Sequence, residues 1–153
     1  MAKKTGVPQI IKIDGLERNI SQIVERINLL FDALSLKGQG RKMNLVELNA
    51  ILINFKFNLF MIELDDELVG MGSLYFRQTL SRCTAYIEDV VVLLEHQGSG
   101  LGKLLLERLI YEARQNNVDV IELTSNPTWV VANVMYQKAG FVRPETNLYR
   151  MYL

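Results

Sequence analysis

The stretch Tyr86-Ile-Glu-Asp-Val-Val-Val-Leu-Leu-Glu-His-Gln-Gly-Ser-Gly-Leu-Gly-Lys-Leu-Leu-Leu106 decides how this chain folds. Its first half is a β-branched, apolar run of the kind that forms a buried strand, and its second half opens a leucine-rich helix. Between them lies Gln97-Gly98-Ser99-Gly100-Leu101-Gly102-Lys103. A glycine-rich turn from strand to helix lets several backbone N–H groups converge, and the positive end of the helix dipole adds to them. The result is an anion site suited to a phosphate or pyrophosphate, with the Lys103 ammonium at its rim.

Downstream, helical spacing continues through Leu105, Leu106, Leu109, Ile110 and Ala113 to residue 116. Val120 to Thr124 then reads as a short strand, and Trp129 to Lys138 as a helix closed by Gly140. Phe141 to Arg143 and Tyr149 to Leu153 flank Pro144 and predict a closing hairpin. Upstream, Leu59 to Ile62, Leu68 to Phe76 and Ala85 to Leu94, with a turn at Asp65-Asp66, read as a three-stranded antiparallel meander. Before the meander come a polar arm, a strand Ile10 to Ile13 and a helix carrying Ile20, Ile23, Val24, Ile27, Phe31 and Leu34. The basic loop Ser35 to Lys42 follows, and then a helix begun by the capping-box pair Asn44 and Glu47 and running through Leu48, Leu52 and Phe55. No repeat or linker divides residues 1–153, so one domain is expected.

Three phosphate-binding patterns compete for the loop. A P-loop needs glycine at 97 and a hydroxyl at 104, where the chain has Gln97 and Leu104. A dinucleotide fingerprint counted from Gly98 and Gly100 puts its third glycine on Lys103, and Glu122 falls inside a strand. The third pattern, Gln/Arg-x-x-Gly-x-Gly/Ala, is met in full by Gln97, Gly100 and Gly102. Here the sequence resembles the GCN5-related N-acetyltransferase (GNAT) superfamily, whose acetyl-CoA pyrophosphate loop has that pattern. The resemblance runs from about Ala85 to Phe141 and includes a second motif, Ala132-Asn-Val-Met-Tyr136-Gln-Lys-Ala-Gly-Phe141. The Ile87-Glu-Asp-Val-Val run leading into the loop also looks like the glucosamine-phosphate N-acetyltransferase branch, without fixing a substrate.

The resemblance implies an α/β fold: a mixed, mostly antiparallel twisted sheet of six or seven strands, helices on both faces, and a splayed V between the fourth and fifth strands. It implies acetyl-CoA as co-substrate, a primary amine as acceptor and no metal. Gln97, Gly98, Ser99, Gly100, Leu101, Gly102 and Lys103 would hold the pyrophosphate. Backbone groups of Val90 and Val92 would pair with the pantetheine arm, and Tyr136 would protonate the departing thiolate. A phenol with pKa about 10 suits a thiolate whose conjugate acid sits near 8.5. Many relatives carry Asn or Arg where this chain has Trp129; Asn133 is one substitute for that contact, and a role for Trp129 in lining the acceptor pocket is another reading. Adjacent strand residues face opposite ways, so only one of Glu88 and Asp89 is expected at the cleft. Glu88, sharing a face with Val90 and Val92, is the candidate base, and Asp89 a structural partner for a loop or helix terminus.

Composition narrows the classes further. Seventeen Lys plus Arg balance seventeen Asp plus Glu, which argues against a nucleic-acid or membrane coat. Cys83 and His96 are single, too few for a disulfide or a zinc cluster, and Cys83 reads as a half-buried thiol while His96 lies in the phosphate-loop approach. With neither a signal peptide nor a membrane-length apolar run, a cytoplasmic protein is expected. The acceptor-defining segments, Ser35 to Met43, Phe76 to Thr84 and Pro144 to Leu148, leave small amines, amino sugars, aminoglycosides, polyamines and protein amines open. The acidic run Glu63, Asp65, Asp66 and Glu67 sits at a hairpin tip, and the apolar Tyr149 to Leu153 edge offers pairing with a second copy as a homodimer. A non-catalytic CoA-binding sensor with Trp129 filling the acceptor space is the rival function. Use of longer acyl groups depends on the pocket around Met135, Tyr136 and Val92.

Overall fold

The structure, a computed structural model, describes residues 6–15, 19–35 and 41–153. Residues 1–5 of the polar arm and 36–40 of the basic loop lie outside the described residues. In chain order the elements are β1 (Gln9–Ile13), α1 (Ile20–Leu34), α2 (Leu45–Leu52), β2 (Phe57–Leu64), β3 (Glu67–Gln78) and β4 (Cys83–Val92). After a 3-10 turn (Leu94–His96) come α3 (Leu101–Gln115), β5 (Val120–Leu123) and α4 (Val130–Lys138).

Each helix follows from its local chemistry. Ile23, Ile27 and Leu30 recur at helical spacing on the buried face of α1. The capping box forms at α2: Glu47 N–H donates to Asn44 Oδ1 at 2.9 Å and Asn44 N–H to Glu47 Oε2 at 3.2 Å. That helix ends at Leu52, short of Phe55, which is exposed. Along α3, Leu101, Leu105, Leu106, Leu109 and Ala113 make one buried stripe.

The sheet order is β1-β2-β3-β4-β5, antiparallel throughout except for the parallel β4–β5 pair, whose crossover is α3. Asp65 and Asp66, at φ +51° and +61°, make the tight two-residue turn of the β2–β3 hairpin. Helices cover both faces, so Leu59 to Ile62 and Val69 to Leu74 are buried without a break instead of alternating. On one face Phe60, Ile62, Leu74, Ala85 and Ile87 pack against α3. On the other, Leu59, Met61, Met71 and Val91 pack against α1 and α2.

Five strands form among the described residues, not six or seven. The closing hairpin is absent: residues 141–153 carry no strand, and Val142, Leu148, Tyr149, Met151, Tyr152 and Leu153 are exposed. The apolar residues of that segment have strand character, but strand formation needs a paired neighbour, and the segment pairs neither with itself nor with β5. Among the described residues no helix is long and apolar enough to cross a membrane.

Leu105 is fully buried between α3 and the sheet. Leu105→Ala is expected to destabilise the fold by about 2–5 kcal/mol, read as a lower midpoint in urea unfolding with the slope unchanged.

Candidate active site

The site is built around an irregularity in β4. Ser73 pairs with Glu88 and Met71 with Val91, so Gly72 alone faces both Asp89 and Val90. This is a β-bulge, and its extra residue is held in the left-handed region: Asp89 has φ +54°. For a non-glycine residue that conformation costs on the order of 1 kcal/mol, with Asp among the types that tolerate it best. Gly72 lets α3 sit close: a Cβ there would come 3.0 Å from Leu109 Cδ1 and 3.3 Å from Leu105 Cδ2, so both leucines would have to give by a few tenths of an ångström.

The bulge overturns the expected alternation. Val90 and Val92 pack toward α3 and Val91 toward α1 and α2. Glu88 and Asp89 both border a recess with Ser73, Tyr75, Ala50 and Asn54. Glu88 therefore does not share a face with Val90 and Val92, and the two carboxylates lie together. Burial raises the pKa of each; the neighbouring Asp89 raises Glu88 further, whereas the Arg41 guanidinium pulls Asp89 down. Asp89 also faces a second cavity, of about 410 Å³, bounded by Phe31, Met43, Leu48, Met71 and Arg41. Among the described residues no hydrogen bond or ion pair engages its carboxylate.

On the other side of β4 the sheet opens. Pairing with β5 ends at Ile87–Leu123, so from Glu88 to Val92 that edge of β4 has no strand beside it. The opening leads to the glycine loop, where Gly98 and Gly100 have φ +76° and +87° and a Cβ on either would meet nothing within 4 Å. Gly100 begins α3 without any side-chain cap, leaving the first N–H groups of the helix open. Gln97 Nε2 donates to the Val92 carbonyl at 2.9 Å and Ser99 Oγ to the His96 carbonyl at 2.5 Å, tying the loop to the end of β4. Leu101 is buried and anchors the helix; the exposed Lys103 ammonium lies 3.7 Å from Glu107. Gly102 faces Met135 of α4, whose sulfur would lie 3.6 Å from a Cβ at that position.

Tyr136 is half-buried on α4, its ring edge-on to Phe141 at 6.1 Å, and burial raises its pKa. Asn133 donates through Nδ2 to the carbonyls of Asn126 and Trp129 at 2.8 and 2.9 Å, clamping the turn that enters α4. Cys83 lies at the far end of β4 from the loop, with its N–H on Asp119 at 2.7 Å. The acidic hairpin tip lines neither cavity.

Residues 28–141 match the acetyltransferase (GNAT) family. The chain belongs to that family. An uncharacterised N-acetyltransferase, ycf52, of Pyropia yezoensis is 35% identical over 68 residues, a stretch that spans 44% of this chain and only 37% of that protein. An aminoglycoside acetyltransferase from an uncultured soil metagenomic sample has TM-score 0.80 at 18% identity, covering 95% of each chain. Glucosamine-6-phosphate N-acetyltransferase from Arabidopsis thaliana has TM-score 0.74 at 20% identity, covering 95% of this chain and 99% of its own.

In this member of the family the open edge of β4 is followed in the chain by the glycine loop and the uncapped start of α3. The pairing of the carboxylates and the contribution of Arg41, Ser73 and Phe31 were not read from the sequence, because a bulge carries no compositional mark at Glu88-Asp89-Val90. Gly72 within an apolar strand was the one available signal.

A raised carboxylate pKa means that the fold favours the neutral acid, so ionised Asp89 weighs against folding at neutral pH. Asn tolerates the left-handed backbone as Asp does. Asp89→Asn is therefore expected to raise the melting temperature at pH 7, and the gain should shrink as pH falls through the carboxylate range, where the parent is itself neutral; paired thermal melts across pH check this.

Proposed function

We propose that the chain is an acetyltransferase domain that moves the acetyl group of acetyl-CoA to a primary amine by direct attack of the amine. The observation that carries this reading is the unpaired edge of β4, Glu88 to Val92, lying between the glycine loop and the paired carboxylates. Gly98 and Gly100 leave room for a pyrophosphate against the open N–H groups of α3, with Gln97, Ser99, Leu101, Gly102 and Lys103 completing the cradle. The edge at Val90 and Val92 suits an extended amide-bearing arm. Asn133 contributes by holding the entry to α4, since both its donated bonds go to backbone. Acetyl-CoA, the family's co-substrate, supplies an activated acyl carbon; the chain supplies orientation and proton management.

An alkylammonium must lose a proton before it can attack. Glu88, with its raised pKa, is the base we assign, taking that proton directly or through a water molecule. Tyr136, kept protonated by burial past the ordinary phenol range, donates to the departing thiolate. Trp129 lines neither cavity, so the acceptor space is open, which favours turnover over a binding-only sensor. A cytoplasmic setting suits the free Cys83 thiol.

Calorimetric titration should show CoA and acetyl-CoA binding, and amines should trigger thiol release in the same preparation. Tyr136→Phe should lower kcat about 100-fold with CoA affinity kept within threefold, whereas Gly100→Glu should abolish CoA binding. No CoA binding up to millimolar concentration, or full activity of Tyr136→Phe at every pH, would overturn the reading.

The exposed apolar residues Leu148 to Leu153 and the open outer edge of β5 further support a homodimer. Light scattering after size exclusion should give twice the 17.5 kDa of one chain, and truncation before Leu148 should return the monomer.

A further inference from the structure

The cavity under α1 and α2 has an unusual lining for a site facing a cation. Its 410 Å³ lie between α1, α2 and the centre of the sheet, and its polar groups are confined to Ser35, Arg41, Ser73 and Asp89; the remaining lining is aliphatic, aromatic or thioether. Met71, Leu48 and Leu59, which form part of that lining, belong to the core packed under α1. Ser73 is already committed, donating to the Glu88 carbonyl at 3.4 Å. Asp89 is thus the one anion in a mostly apolar lining; the Arg41 guanidinium acts on it through space, but no hydrogen bond or ion pair engages its carboxylate among the described residues. Arg41 stands at the same cavity with its guanidinium held by Glu47 at 3.2 Å, so a second positive charge on a ligand would meet a fixed like charge. The chain's acidic run is elsewhere, at the β2–β3 tip, and offers nothing to a polycation in this space.

We infer that this cavity takes a primary amine borne on a single apolar body, an alkyl or arylalkyl monoamine, with its ammonium on Asp89 and its hydrocarbon among Phe31, Leu48 and Met71. Charge complementarity selects one cation, and the lining selects against sugars, whose hydroxyl groups would lose water without gaining partners. Asp89 acts as a binding residue that sets the amine beside Glu88. That such an amine is also the acetyl acceptor rests on the proposed function above; that it binds does not.

Binding and turnover are therefore measured separately. In calorimetry on the full chain without CoA, affinity for straight-chain monoamines should rise about fourfold per methylene from propylamine to hexylamine, the increment expected for burying each CH₂ group. Phenethylamine should bind, and Asp89→Asn should weaken it at least tenfold while changing phenethyl alcohol less than twofold. Leu34→Trp, placing bulk at the cavity margin, should weaken both. Thiol release should then favour phenethylamine and hexylamine over spermidine and kanamycin at least tenfold in kcat/KM. A flat chain-length series, phenethylamine binding indifferent to both variants, or preference for the polyamine or aminoglycoside overturns the inference. Tight phenethylamine binding that responds to both variants without any thiol release supports this site and counts against acetyl transfer alone.

Discussion

Everything distinctive about this protein depends on the mismatch of two residues against one at Gly72. If β3 and β4 paired without interruption, Asp89 would turn toward α3 and the carboxylates would part. The extra residue keeps both acids on the α1–α2 side while returning Val90 and Val92 to the α3 core. The absence of a side chain at Gly72 lets Leu105 and Leu109 close over the same point. The missing Cβ permits the close seat of α3, and the extra residue opposite it brings the two carboxylates together. The small conformational cost at Asp89 is distributed over a sheet whose central strands are buried on both faces.

The two sides of β4 then serve different chemistry. Toward β5 the strand presents backbone without a neighbour, and at its end a loop of positive-φ glycines delivers the open start of a helix. Toward α1 and α2 it presents acids beside a mostly apolar lining that also carries Arg41 and Ser73. The reacting groups would meet across the strand, at the residues where regular pairing fails. Burial raises the carboxylates and the Tyr136 phenol together, so the fold favours the neutral forms of these groups.

The sequence made part of this legible. Glycines at 98, 100 and 102 after an apolar strand, and Tyr136 five residues before Phe141, located the loop and the final helix because such turns demand particular residues at particular positions. Periodicity placed every helix and the five strands that form. It misplaced the C-terminal hairpin, since residues 141–153 have strand character but pair with no other strand among the described residues, and pairing is a tertiary property. It also misjudged Glu88 and Asp89, where a period of two was assumed across a strand that breaks it. Arg41 could be noted in the basic loop but not placed, because nothing local says which surface a loop residue will face.

The ligand cavity on the α1–α2 side is not an appendage to the hydrophobic core but a part of it left unfilled. Ile27, Met43, Leu48, Leu59 and Met71 serve both. Reshaping this hollow is therefore tied to stability: each substitution that alters it also alters packing between sheet and helices, and each that tightens packing shrinks the hollow. Divergence in such a lineage should proceed by compensated pairs across the cavity, or through its rim at Ser35 and Arg41, where shape and charge can change at little cost to the core.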